Sequence, residues 1–332
     1  MNKQNRSKKR ELREVFDDNH LMIVDMLFGK LGNDLSWTKE WEAADLGVYL
    51  NPVNFEDKPY KGCNRMNLGV IAWCNGWSDN RWFTMKHINE LGFKVRKGEH
   101  SNIVEHYGMR YLMRDRSSGE ILKYSWNRPK EYDKDLHDLR CWMAPHHFTR
   151  VFNANQVEGI ELVAEPEKMP EKVLVPKVDR LIDSSWCPVY EERMADNPHC
   201  TVFGSFAEIH VPLRSQFFNI DAFASTLAHE MTHSTAPKLG RELGCKGTPQ
   251  YAKEELVAEL GSMFLCAELG FDFHHKVERE DNSAAYIASW LKRTGNKDKE
   301  LDIYKAAQKA LKASELLKER YDAAEKIEKV AA

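Results

Sequence analysis

Apolar positions recur with a helical period through residues 11–30, 67–75 and 84–91, whereas Asn102–Arg114 and Ile121–Trp126 alternate like strands around a Ser-Ser-Gly turn at 117–119. Val151-Phe152-Asn153 reads as one more strand. Farther on, His199 to Pro212 is strand-like with a Gly-Ser interruption. A helix is predicted from Ala222 to Ala236, with Asn219 or Asp221 able to cap it and Pro237 stopping it. Its Phe223, Leu227 and Met231 fall at i, i+4 and i+8 and give it one packing side. A second helix runs from Tyr251 to about Leu269, with Gly270 as its stop and Leu256, Leu260, Met263 and Phe264 as its apolar face. Ser283–Thr294 reads as a helix closed by Gly295, and Asp298–Val330 as a long charged one. In the latter Ile303, Ala307, Leu311 and Leu317 suggest packing on the preceding helices, and the sustained heptads of a coiled coil are missing. The fold class expected is α+β.

At 332 residues the chain is long enough for two domains, and 42% hydrophobic content with nine Trp argues for globular ones. Residues 161–176 carry three prolines and an acidic excess and read as an extended connector. The expected division is therefore a first domain over 1–160, a linker over 161–176 and a second domain over 177–332. The overall charge of −3 hides an asymmetry, since residues 1–160 hold 25 Lys+Arg against 22 Asp+Glu and the remainder is acidic. Seven scattered cysteines without a CxxC pair suggest neither a thiolate zinc site nor a disulfide framework, which fits a reducing cytoplasm. The basic N-terminal residues, Lys3 to Arg13, lack the apolar core of a signal peptide, and no stretch approaches a membrane span.

Within the first of the two late helices stands His229-Glu230-Met231-Thr232-His233, an HExxH pattern. Two histidines four apart share a helix face, so both imidazoles can reach one Zn²⁺ while Glu230 meets the water on it. Two surface histidines on an amphipathic helix would give the same letters, so the third ligand matters. Glu255 and Glu259 are four apart on the second helix and suit a ligand and a helper, with Glu254 as a rival ligand. The pattern resembles the thermolysin-like gluzincins, in which a glutamate about twenty residues after the second histidine binds zinc. That resemblance assigns Glu255 to the metal and Glu259 to a hydrogen bond with a ligand histidine. It implies peptide hydrolysis with Glu230 as general base. Tyr251, Tyr286 and His210 are candidates, by residue type only, for an electrophilic helper. Glu208–Val211 is read as an edge strand able to hold an extended peptide, an ordinary sheet strand being equally consistent.

Between Lys58 and Lys97 eight basic residues face two acidic ones, Asp79 and Glu90, with Tyr60, Trp73, Trp77, Trp82, Phe83 and Phe93 interleaved. Phosphates supply affinity to such a groove and every base offers a π-face, so single-strand binding is one reading; a core under a soluble surface is the other. Several short blocks then fall in a telling order: Lys58-Pro-Tyr-Lys-Gly62 with Asn64, Trp82-Phe-Thr84 with Lys86, Val95-Arg-Lys-Gly-Glu99, Val151-Phe-Asn153 with Gln156, Thr226 to His233, Tyr251 to Leu260, Phe264 to Gly270, and Ala285 to Trp290. In these the chain resembles the ArdC-type antirestriction proteins of plasmids and phages. The resemblance implies an N-terminal single-stranded-DNA-binding domain joined to a C-terminal, mainly helical zincin-like domain with a small sheet. It places strand contacts at Lys58, Tyr60, Lys61, Asn64, Trp82, Lys86, Arg96 and Lys97, with Tyr60 and Trp82 stacking. Phe55-Glu56-Asp57 replaces the family's tight glycine turn, and the charged segment Arg128–Arg140 is insertion-like. The partners implied are single-stranded DNA and a protein or peptide substrate, with no membrane. Two other readings are a DNA-binding shield with an inactive zincin domain and a peptidase whose first domain recognises protein.

Overall fold

The computed structural model describes residues 11–31, 51–163, 169–193, 198–271 and 297–331. The first half is built on a five-stranded sheet in the order β1 (Val53–Asn54), β2 (Arg81–Thr84), β6 (His137–Asn153), β4 (Asn102–Asp115) and β5 (Ile121–Ser125). Only the β1–β2 pair is parallel. Val151-Phe152-Asn153 is the end of the 17-residue β6, which begins inside the charged segment that reads as an insertion. β3 (Lys94–Val95) and β7 (Val157–Glu158) form a separate pair over a small core of Phe83, Ile88, Phe152, Ala154 and Val157.

Helices α1 (Leu12–Leu31) and α2 (Gly62–Asn75) lie against β6 and β4, and α3 (Met85–Glu90) starts where Thr84 Oγ1 accepts the His87 N–H. α2 begins five residues before the apolar period does. Its first turns bury Arg65 and Asn67, polar residues that a periodicity reading discounts and that here have partners. Arg65 pairs with Glu268, and Asn67 accepts the Tyr304 hydroxyl at 2.6 Å.

α4 (Glu171–Asp183) opens the second half, so residues 171–176 are helical and not the extended connector expected of them. Pro176 lies inside this helix, and only its residues Leu174, Val178 and Leu181 are deeply buried, which shows an amphipathic helix hidden under a proline-rich sequence. Lys177 donates to the Leu269 carbonyl at 2.6 Å, a basic side chain at a helix C-terminus. A three-stranded sheet follows in the order β8 (Val189–Glu192), β10 (Phe206–Pro212), β9 (His199–Phe203). Glu208–Val211 therefore belongs to the central strand, paired on both sides, and the edge-strand role passes out of its reach.

Three further helices lie among the described residues: α5 (Ile220–Ser234), α6 (Pro249–Leu269) and α7 (Lys297–Ala331). The α7 residues expected to pack on the preceding helices, namely Ile303, Ala307, Leu311 and Leu317, are all buried. The helix packs on α6 but also on α1 and α2, so it ties both halves together. Ser283–Thr294 lies outside the described residues.

One apolar core runs through both halves, from Val24, Met66 and Val70 to Leu260, Phe264, Ile303 and Ala307. Beside it the carboxylate of buried Glu105 in β4 accepts from Asn19 (2.8 Å), Asn67 (3.3 Å) and the Tyr107 hydroxyl (3.0 Å), and meets His20 Nε2 at 2.9 Å. His20 in turn stacks on Tyr304 of α7, with ring centroids 3.9 Å apart. A buried carboxylate is tolerated where donors surround it, and these donors come from α1, α2 and β4.

α5 and α6 approach closely because Gly261 faces Thr232. A Cβ at Gly261 would come 2.6 Å from Thr232 Cγ2. Ser262 Oγ adds a 2.8 Å bond to the Ser225 carbonyl across the same crossing. Gly261→Ala should destabilise the protein by about 1–3 kcal/mol through overpacking, read in urea unfolding, and Thr232→Ala in the same chain should recover part of the loss. An unchanged midpoint for Gly261→Ala would remove the crossing constraint.

Candidate metal centre

The crossing of α5 and α6 collects the titratable residues. Asn219 caps α5, accepting the Ala222 N–H at 2.8 Å, and every residue of the helix is buried, His229, Glu230 and His233 included. Thr248 caps α6, Pro249 occupies its first turn, and Gly270 ends it in the left-handed conformation. Glu255 is thereby set opposite both histidines. His229 Nε2 lies 3.5 Å from Glu255 Oε2, and His233 Nε2 lies 3.5 Å from Glu255 Oε1. One ligand atom from each of the three falls within 4.8 Å of the others.

The outer nitrogens are also fixed. His229 Nδ1 lies 3.1 Å from Glu259 and His233 Nδ1 lies 3.4 Å from Glu254. Donation from both Nδ1–H groups leaves the two Nε2 lone pairs aimed at one point, the tautomers a metal requires. Glu254, the rival ligand, is turned to the far side of His233. Arg241 holds it there through Nη2 at 2.8 Å and Nε at 3.1 Å, and also donates to the Thr232 carbonyl and to Thr235 Oγ1. Nothing in the sequence singled out Arg241, one of three basic residues in the loop after the helix.

Electrostatics agree with the geometry. Burial draws the His229 and His233 pKa values down, but their bonds to the glutamates win, raising His229 and pushing His233 up to about 10. Burial opposes ionisation of Glu255, yet the two imidazoles hold its carboxyl well below the usual range. Glu254 is lowered too, burial being outweighed by His233 and Arg241. The charge of Glu230 acts on both imidazoles and, across the gap to β9, raises the Cys200 thiol, whose own burial acts first. Four carboxylates surround two imidazoles, and Arg241 is bonded to one of them, Glu254, so the site attracts a cation. Two nitrogens and one oxygen converging on one point fit a divalent metal with room for further ligands.

The helper candidates are scattered. His210 is on β10, bonded to Glu192 at 2.7 Å and stacked between His199 and Tyr190. Tyr251 lies one helical turn before Glu255 on the same face of α6, and Tyr286 falls outside the described residues.

The candidate strand contacts divide in two. Lys58, Lys61, Lys86, Arg96 and Lys97 are exposed, with Lys58 paired to Glu56 and Lys86 to Glu90. Tyr60 is half-buried against the core, which pushes its hydroxyl up to about 12. Both ends of the Asn64 amide are engaged with the Glu105 backbone at 2.7 Å, joining α2 to β4. Trp82 is 1% exposed and packs edge-on to Trp77, so its ring offers no face to a base, contrary to the stacking expected of it. The short β2 runs into the middle of the sheet, where the apolar body of a tryptophan is worth more than it is outside.

Residues 200–309 match the family of zincin-like metallopeptidases, and residues 18–137 match the N-terminal domain of the anti-restriction factor ArdC. Fold and site thus define a two-domain protein with a zincin-like half. Two crystal structures of the antirestriction protein ArdC from plasmid R388 superpose on the chain at 27% identity. The metal-free one has a TM-score of 0.60 and covers 92% of this chain and 98% of its own; the Mn(II)-bound one has a TM-score of 0.59 and covers 91% and 97%. The chain thus joins an ArdC-type N-terminal domain to a zincin-like metallopeptidase domain and is similar over most of its length to that antirestriction protein. It is also 29% identical over 299 residues to a DNA primase TraC of Escherichia coli, 88% of this chain but 19% of that protein. A second TraC primase of the same species is 28% identical across 92% of this chain and 27% of its own length. The chain thus spans about a fifth to a quarter of those primases. An uncharacterised protein of Sinorhizobium fredii is 28% identical over 80% of each chain.

Two outcomes follow for the site. Glu254→Gln and Glu259→Gln should each weaken binding of a divalent metal about 10–100-fold in competitive chelator titration, because each loosens one imidazole; wild-type affinity in both would leave the outer carboxylates without a role. In metal-free protein the raised His233 contributes stability fully present below about pH 6.5 and lost as pH rises through about 10. The lowered Glu255 contributes stability present above about pH 4.5. Chelator-treated protein should therefore melt lower at pH 9.5 than at pH 6, and His233→Gln should flatten that difference.

Proposed function

We propose that the chain is a metal-dependent peptidase tethered to a single-stranded-DNA-binding domain, and that it acts in antirestriction on behalf of a mobile element. The observation that carries the reading is the convergence of the His229 and His233 Nε2 atoms on Glu255, with a carboxylate behind each imidazole. His229, His233 and Glu255 would hold the ion, and zinc is the ion that two imidazoles, one carboxylate and an open position suit best. The solved R388 relative is described with Mn(II), so manganese is the competitor in the same donor set. When bound, the ion supplies Lewis-acid activation of water and of the scissile carbonyl.

Glu230 follows His229 directly on α5 and lies buried near both imidazoles. Its carboxylate takes a proton from the attacking water and returns it to the departing amine nitrogen. Glu254, Glu259 and Arg241 keep the imidazoles in register. An extended peptide would pair along the edge of β9 that no described strand covers, beside Glu230, in place of Glu208–Val211.

The ArdC-type N-terminal domain and the exposed Lys61, Arg96 and Lys97 support single-stranded DNA as the partner that brings peptide substrates within reach. No described helix is long and apolar enough to cross a membrane, and all seven cysteines are free, in keeping with a reducing cytoplasm as the compartment.

Glu230→Gln tests the reading. Peptide cleavage should fall by about 10²–10⁴-fold while metal content, by elemental analysis, and DNA binding stay at wild-type levels. Full protection of incoming DNA by Glu230→Gln would sink the peptidase mechanism and leave a DNA-binding shield. Protein purified without chelator and lacking any stoichiometric transition metal would sink the metal site.

A further inference from the structure

We propose that single-stranded DNA stacks on one face of the β5–β4–β6 sheet, at Tyr124, Trp126 and Trp142 around Arg110. This rests on the single-strand reading above and moves its stacking site away from Tyr60 and Trp82. The register puts the residues on one side. Arg110 is paired with Trp142, Leu112 with both Arg140 and Tyr124, and Gly108 with Ala144. Residues directly opposite each other share a face, and so do residues two apart, so Trp126, two beyond Tyr124, joins them.

The face is assembled and left open. The Arg110 guanidinium lies 3.9 Å from the Tyr124 ring centroid and 4.4 Å from that of Trp126. Trp126 rests over Gly108, where a Cβ would meet its ring at 3.3 Å, and His146 meets it edge-on at 4.7 Å. Trp142 sits 5.9 Å from Tyr124 and extends the aromatic floor. Tyr124, Trp126 and Trp142 are nevertheless 54%, 36% and 39% exposed. Large rings fixed in place but uncovered are the expensive side of a docking surface already prepared.

Charge selects the partner. Arg110, Arg114 and Arg140 share the face with a single acid, Asp138, which Arg116 already holds at 3.1 Å. A guanidinium held over aromatic rings keeps N–H groups for phosphate. Duplex DNA hides its base faces in the stack, whereas a single strand presents both bases and phosphates to such a surface. The basic residues Arg96 and Lys97 have no comparable aromatic neighbours among the described contacts and would act as phosphate contacts only.

The test is fluorescence anisotropy of the full chain with a labelled dT20 oligonucleotide and its duplex over a range of salt. Tyr124→Ala/Trp142→Ala should weaken dT20 binding at least about tenfold, Trp142→Phe should keep most of the affinity, and Arg110→Ala should lower the salt slope by about 0.7. Thermal unfolding of each variant checks the fold. Should the double alanine variant melt early, Tyr124→Glu, a single change at the most exposed ring, must give the same loss. Wild-type protein that binds dT20 while Tyr124→Ala/Trp142→Ala and Arg110→Ala bind equally well overturns the sheet face alone, leaving the face to a protein partner. Wild-type protein that ignores dT20 at low salt overturns the single-strand reading itself.

Discussion

Everything at the candidate metal centre depends on how closely α5 and α6 can cross. Thr232 on one helix fits against Gly261 on the other, and any side chain there would force the axes apart. His229 and His233 stand one turn apart on α5, so their Nε2 atoms can meet a third ligand only if α6 lies within the reach of a glutamate side chain. Glu255 reaches both at 3.5 Å. A glycine six residues beyond a ligand is thus a positional requirement and not a loss of helix propensity, although in an exposed helix it would cost about 1 kcal/mol relative to alanine.

The crossing also creates an electrostatic debt. Taking a carboxylate out of water costs several kcal/mol, and attraction to a neighbouring charge offsets it only when the geometry is good. Glu230, Glu254 and Glu255 are all buried in a small volume, with two imidazoles and Arg241 as the nearby cations. Protonated histidines can balance the site without metal, which is why His233 is held up to about 10. A divalent ion held by His229, His233 and Glu255 would replace those protons with a charge at the point where both Nε2 atoms face. Arg241 keeps Glu254 out of that competition by engaging both of its oxygens.

Much of this was legible in the residues. HExxH and the Glu255/Glu259 spacing are helix-face patterns, and the face of a helix follows from numbering alone. The choice between Glu254 and Glu255 was open because adjacent residues differ by 100° on the helix, and only the direction of α6 settles which one points inward. Arg241 comes from a loop, where spacing carries no direction. The strands β4 and β5 were visible in their alternation, but alternation identifies two faces without telling which is covered. Trp82 and Tyr124 look alike in sequence; one lies on the interior strand β2 and the other on the edge strand β5. The same limit hid the central position of β10, since strand order is a property of the assembled sheet. Pro176 concealed the helical character of α4, and the buried polar residues Arg65 and Asn67 concealed the first turn of α2.

A boundary at residues 161–176 suggested two domains, yet the main apolar core is shared between the halves, and the reason lies in α7. Its Ile303, Tyr304 and Ala307 fill the space between α1, α2 and α6, so neither half completes its interior alone. The polar contacts at this seam are specific: Arg65 with Glu268, Tyr304 with Asn67, and His20 stacked on Tyr304 while bonded to Glu105. Glu105 belongs to β4, the strand that also carries Arg110, and Glu268 belongs to α6, the helix that carries Glu255. A rigid path of packed elements therefore links the sheet to the metal centre. Such a seam sets the distance and orientation between the two, so a ligand held on the sheet would be presented to the zincin-like half at a set geometry, which a flexible tether would not do.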